Sequence, residues 1–263
     1  MKNSAVSANR DPIKRLPLRN PGQSIEDQIA KFRAETIDVW IVMLIFAVVL
    51  MLWEWYWYLI PIQSGPVPIT LMCLGVIFYS VIRIRQERET LEQLKLGLKG
   101  EQATGQYLQN SLLRQGYWVV HDICFDDFNI DHALIGPAGV FAIETKTRSK
   151  PSGDSTVSFD GHAILIAGHK PDRDPIVQST AAAKALQGKL LEYSGTKVSV
   201  RPVVLFPGWF VEKQPRDANV WVLNEKAFVK WIGREPDRLS RETSFQLAAA
   251  LGRYVRDREA NAS

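Results

Sequence analysis

From Val39 to Ile60 the chain is apolar and aromatic except for one charge, Glu54, and no other stretch restricts the possible architectures as much. A helix rising 1.5 Å per residue over that run is long enough to cross a hydrocarbon layer of about 30 Å. In a water-soluble fold it would need to be covered on every side. A second uncharged run, Val67 to Ile82, follows after Pro61-Ile62-Gln63-Ser64-Gly65-Pro66, whose prolines and glycine end helices. The two runs predict a transmembrane helical hairpin. Trp53, Trp55, Tyr56, Trp57 and Tyr58 cluster beside the turn, where amphipathic rings favour the membrane–water boundary.

Basic residues near membrane ends stay on the cytoplasmic side. Lys2, Arg10, Lys14, Arg15, Arg19, Lys31 and Arg33 precede the first run, and Arg83, Arg85, Arg88, Lys95 and Lys99 follow the second, while the turn has no charge. Both termini are therefore expected in the cytoplasm. A cleavable signal peptide would place its apolar run earlier and end it on small residues. A buried hairpin of a soluble protein remains the other reading.

Removing the tail and hairpin from the 263 residues leaves about 165, a normal size for one domain with a full core. The expected segments are a disordered basic tail (1–36), the hairpin (37–84), a helical stalk (85–97) and a globular domain (98–263). Leu91, Leu94 and Leu98 give the stalk helical spacing, too short for a firm coiled coil but sufficient for a homo-oligomer contact. The formal charge of +4 belongs partly to the membrane flanks, so it does not by itself imply a nucleic-acid partner. The two cysteines, Cys73 and Cys124, supply neither a disulfide framework nor a zinc cluster.

Within the domain, Asn129 to Ile135 reads as a strand, Gly136-Pro137-Ala138-Gly139 as a tight connection and Val140 to Thr147 as the returning strand. Alternation points Glu144 and Lys146 the same way and lets Asp131 lie across from Glu144. Two neighbouring carboxylates repel unless a cation lies between them, and oxygen ligands suit Mg²⁺ or Mn²⁺. An exposed strand end with a cross-strand ion pair would show the same spacing. Further strands are expected at Tyr117–His121, Val157–Phe159, Ala163–Ala167, Val198–Phe206 and Asn219–Leu223. Helices are expected to about Gln115 and over Pro175–Tyr193, Glu225–Ile232 and Ser240–Arg258. The sum is an α/β domain with a mixed sheet flanked by helices. His132, on the other face from Asp131, reads as a packed or hydrogen-bonded residue, and His121, His162 and His169 lack metal-ligand spacing.

Gly97-Leu98-Lys99-Gly100-Glu101, Asn129-Ile130-Asp131-His132, Gly136-Pro137-Ala138-Gly139-Val140-Phe141, Ile143-Glu144-Thr145-Lys146 and Asp174-Pro175-Ile176-Val177-Gln178 occur in that order. Together they resemble the nuclease-related domain (NERD) family of the PD-(D/E)XK nuclease superfamily, over roughly Gly97 to Phe206. The resemblance implies a restriction-endonuclease-like sheet, with Asp131 and Glu144 as metal ligands and the Thr145 carbonyl completing the shell. It also implies that Lys146 orients the attacking water and stabilises the transition state, that Glu101 reaches the metal or its water, and that Gln178 closes the site. Each has a plainer role open to it: Glu101 near a helix start is favoured by the dipole, and Gln178 can be a surface glutamine. Arg148, Lys150, Lys170 and Arg173 are candidate phosphate contacts or ordinary solvated loop residues.

The reading that follows is a nuclease cutting DNA with Mg²⁺ or Mn²⁺, multi-pass in a prokaryotic inner membrane, with the nuclease domain cytoplasmic. Its expected partners are nucleic acid, the lipid bilayer and a second copy through stalk or hairpin. The alternative is a non-catalytic nucleic-acid-binding or membrane scaffold protein that retains the fold.

Overall fold

The computed structural model describes residues 18–59, 67–150, 156–212, 214–215 and 218–262. Two compact units divide the chain: Gly22–Gln102 with Thr147–Ser149, and 1–21, 103–146 and 150–263.

The first unit is helical. Helix α1 (Gln23–Phe32) passes through a π-helical turn (Arg33–Ile37) into α2 (Asp38–Leu59), and α3 runs from Val67 to Leu112. The expected disorder of the tail is therefore replaced by helix from Gln23 onward, and residues 1–17 lie outside the described ones. The physical reason is a tertiary partner that local composition does not show. A Cβ on Gly22 would stand 2.6 Å from Leu98 Cδ1, and one on Gly97 would stand 3.7 Å from Ile25 Cδ1, so α1 packs closely on α3. Gln102 Nε2 donates to Glu26 Oε1 at 2.7 Å across the same contact.

The stalk is not a separate helix but the middle of α3, which continues the second apolar run unbroken. No proline or glycine pair interrupts Arg83 to Leu98, and Arg83–Glu87 and Lys95–Glu92 ion pairs decorate its surface. Trp40 meets Tyr79 edge-on at 5.3 Å, and Trp55 Nε1 donates to Thr70 Oγ1 at 3.0 Å, so α2 and α3 lie antiparallel as a hairpin. Its connection, 60–66, is outside the described residues. Both helices are long and apolar enough to cross a membrane. Phe46, Leu52, Leu71 and Phe78 are each at least 60% exposed, unlike the apolar side chains of a soluble core helix.

The second unit holds a five-stranded mixed sheet in the order β1-β2-β3-β6-β8, made by β1 (Trp118–Cys124), β2 (Asn129–Gly136), β3 (Gly139–Thr145), β6 (Val200–Leu205) and β8 (Trp221–Leu223). β1, β2 and β3 are antiparallel; β3, β6 and β8 are parallel. A smaller sheet, β5-β4-β7, pairs β4 (Thr156–Phe159) with β5 (Ile164–Ile166) and the two-residue β7 (Phe210–Val211). Helices α4 (Pro175–Ser194), α5 (Glu225–Ile232) and α6 (Arg241–Ala262) complete the unit.

Alternation sends Val140 and Ala142 of β3 to one face, where Ala182, Ala183, Leu186 and Leu190 of α4 and Leu247 and Leu251 of α6 cover them. Phe141 and Ile143 go to the other, against Leu108 and Leu112 of α3 and Phe228 of α5. With both faces covered, β3 and β6 read as the nearly continuous apolar strands that parallel sheets require. The alanines of α4 let its axis approach the sheet closely. Its start is fixed by Asp174, whose carboxylate accepts the Ile176 N–H at 2.9 Å, followed by Pro175 at the first helical position.

Candidate active site

The β2–β3 ladder has His132↔Ile143 as its last pair, which leaves Asp131 and Glu144 facing one another just beyond it. The next amide of β3 toward β2, Thr145 N–H, is taken by Asp131 Oδ2 at 2.6 Å. A carboxylate thus continues the ladder where a main-chain carbonyl would otherwise accept, and Asp131 is fixed to the strand that carries Glu144. Charge-assisted bonds of this kind are short and strong. On the far side, Lys146 N–H donates to Leu205 O at 2.8 Å, so the end of β3 is held from both neighbouring strands.

Glu144 continues the Val140–Ala142 face and is 13% exposed, and Lys146, two residues on, is 27% exposed. Lys146 Nζ lies 2.6 Å from Glu144 Oε1. The two side chains point the same way, as alternation implies, and they meet as an ion pair at the end of the strand. Gln178 lies one turn before Ala182 on the side of α4 turned to that sheet face, and its Oε1 is buried without a hydrogen-bond partner. α4 lies between the parallel strands β3 and β6 in the chain, so its first turn and the carboxyl end of β3 are at the same end of the sheet. In open α/β sheets this is the end where ligands bind. A buried amide oxygen with no partner costs about 1–3 kcal/mol unless water or a ligand reaches it.

Glu101 lies on α3 in the helical unit and is 9% exposed. Its Oε2 lies 3.6 Å from the position a Cβ on Gly22 would take, at the N-terminus of α1. A carboxylate there is stabilised by the helix dipole. Gly100, beside it, allows Thr147 to approach, because a Cβ on Gly100 would overlap the Thr147 side chain.

Of the basic candidates, Lys150 is exposed and its Nζ stands 6.0 Å over the Trp209 ring. Lys170 and Arg173 are exposed on the connection that leads from β5 to α4, and Arg148 is exposed in the helical unit. Among the described residues no three His, Cys, Asp or Glu side chains gather as a metal-holding group.

His132 is fully buried and packed, with its Nδ1 3.0 Å from His121 Nδ1. Burial pushes His121 down to about 4. Burial, helped by the neighbouring imidazole, pushes His132 to about 3. Both rings are neutral at pH 7, one donating its Nδ1–H to the other. Their approach to α3 depends on Gly105, where a Cβ would lie 3.2 Å from the Cε1 of each ring. Directly after His121 the β1 chain turns through Asp122 with φ 47°, a left-handed conformation that locally breaks the pairing with β2. Asp122 is held by Arg19 Nε at 2.6 Å, which also fixes the incoming chain. Sequence reasoning missed this anchor, since no local pattern links Arg19 to Asp122.

Residues 96–207 match the family model of the nuclease-related domain. Over that span the chain is similar to a nuclease-related domain. Its matched span includes Glu101, Asp131, Glu144, Lys146 and Gln178 and the strands from β1 to β6. Comparison with curated proteins and with solved structures returned no match. The family model suggests a nuclease-like fold, and the structure has a mixed α/β sheet flanked by helices, with Asp131 and Glu144 facing one another at one strand end.

Proposed function

We propose that this protein is a membrane-tethered nuclease that hydrolyses phosphodiester bonds of DNA with Mg²⁺ or Mn²⁺. The observation that carries the reading is the Glu144–Lys146 pair at the carboxyl end of β3, with Asp131 opposite and fixed to the Thr145 amide. The donor set fits a hard divalent cation: Asp131 and Glu144 carboxylates, the Thr145 carbonyl, and the Gln178 oxygen that has no protein partner. Such an ion, when bound, lowers the pKa of a coordinated water and neutralises charge on the phosphoryl oxygens.

The protein's own part is positional. Asp131 and Glu144 sit on strands rather than loops, so their separation is set by the ladder. Lys146, whose ammonium closes on Glu144 at 2.6 Å, would be the group placed to face the phosphoryl oxygens, where negative charge grows in the transition state. Lys150, Lys170 and Arg173 are available for neighbouring phosphates. The α2–α3 hairpin would place this chemistry at a bilayer, with both termini on the cytoplasmic side of a prokaryotic inner membrane. Its exposed apolar flank, or the α3 stalk, could also meet a second copy.

One observation favours a second reading, a binding module that keeps the fold. Lys146 closes on Glu144 and no third acidic or imidazole side chain joins the group among the described residues. Incubating the full chain in mild detergent with labelled DNA and RNA, with Mg²⁺, Mn²⁺ or chelator, separates the two. Metal-dependent cleavage lost in Glu144→Ala and Lys146→Ala supports the nuclease; nucleic-acid binding without cleavage supports the module.

A further inference from the structure

At the other end of the same strands a cleft of about 220 Å³ opens between the starts of β3 and β6 and the connection from α5 to α6. It is separate from the candidate active site: Phe141 is the last β3 residue in its lining, and the three residues from there to Glu144 span about 10 Å along the strand. Its floor is bare main chain at Gly139, with φ 127° and no atom within 4 Å of where a Cβ would stand. Ser199 and Asn219 supply a hydroxyl and an amide to its walls.

Two guanidiniums face this space. Arg238 is paired with Glu235, also in the wall, at 2.8 Å. Arg201 has a different partner: its guanidinium carbon lies 4.9 Å over the Trp221 ring, and among the described residues no carboxylate pairs with it. Two cations and one carboxylate leave the lining one positive charge in excess. The indole covers one face of the Arg201 fork and fixes its orientation, while its edge donors remain for an oxyanion.

We propose that this cleft binds a phosphate group, held between the Arg201 and Arg238 guanidiniums with Ser199 and Asn219 donating to its remaining oxygens. Donors on several walls suit a tetrahedral oxyanion better than a carboxylate, which one fork satisfies. The phosphate can belong to a free phosphomonoester or to a nucleic-acid strand. The inference stands apart from the nuclease reading, because it uses neither its residues nor a metal.

The test is calorimetric titration of the full chain, in mild detergent and chelator, with inorganic phosphate, a nucleoside 5′-monophosphate and a short oligonucleotide lacking a terminal phosphate. Phosphate should bind, and Arg201→Gln should weaken it at least tenfold. Ser199→Glu, a charge placed at an exposed rim position that leaves the core untouched, should do the same. Glu144→Ala should leave phosphate binding unchanged. Competition by the monophosphate alone would identify a free ligand, and competition by the oligonucleotide a strand phosphate; either supports the site. Absence of phosphate binding overturns it, as does binding that survives both cleft variants. Binding lost in Glu144→Ala but retained in Arg201→Gln would put the anion at the candidate active site and end the proposal.

Discussion

At the scale of single residues, strand alternation was enough to point Glu144 and Lys146 the same way, and the antiparallel return was enough to set Asp131 opposite Glu144. It could not reveal that Asp131 replaces a ladder carbonyl, since that depends on where pairing stops. Asp131→Asn separates the two roles. The amide oxygen still accepts from Thr145 N–H, so the fold should persist, while cleavage should fall by about 10²–10³-fold, the size typical for one lost electrostatic contributor in an active site. Circular dichroism together with a cleavage assay checks both halves. Arg201 was legible only as a charge inside an apolar strand; its position over Trp221 needed the sheet order. The histidine pair yields a pH dependence. Its folded pKa values, about 4 and about 3, lie below the unfolded value near 6.5, so the unfolded chain takes up protons first. The stability from keeping both rings neutral is complete above pH 6.5 and is lost as pH falls toward 4. Melting temperature should therefore decline between pH 7 and 5, where most carboxylates remain ionised; a flat profile there would contradict the assignment.

At the scale of elements, helices with caps were the most legible. Asp174-Pro175 marks the start of α4, and Asn224, which accepts the Ala227 N–H at 2.8 Å, marks that of α5. Asp174→Ala should cost about 1 kcal/mol of stability by loss of the cap, read from urea unfolding of the full chain. Elements whose reason is tertiary were not legible. α1 is helical because Ile25 and Gly22 meet α3, and β7 is strand only because Phe210 and Val211 find β4. The parallel pairing of β3 with β6 likewise depends on partners some sixty residues apart in sequence. Gly100 belongs to this scale as well. Gly100→Ala must displace Thr147, and overpacking of that kind costs typically about 1–3 kcal/mol. Thr147 follows Lys146 directly, so the same substitution should lower cleavage; an unchanged rate and melting temperature would contradict the contact.

At the scale of the whole molecule, composition separated an apolar hairpin from an α/β domain, because a long uninterrupted apolar run and alternating strand and helix patterns read differently in sequence. What it could not supply was continuity: α3 carries the second apolar run, the stalk and the first turns of the sheet domain as one helix. If the hairpin spans a membrane, the protein should stay with membranes through alkaline carbonate washing and leave only with detergent; release by carbonate would assign α2 and α3 to a peripheral or protein-covered role. The central claim is that the end of β3 is a metal-dependent hydrolytic site. Its most direct test is cleavage of end-labelled DNA by the full chain with Mg²⁺ or Mn²⁺, beside Glu144→Ala purified and folded to the same standard. The account predicts product only with metal and only in the unsubstituted protein; equal cleavage by both, or cleavage that persists in chelator, would contradict it.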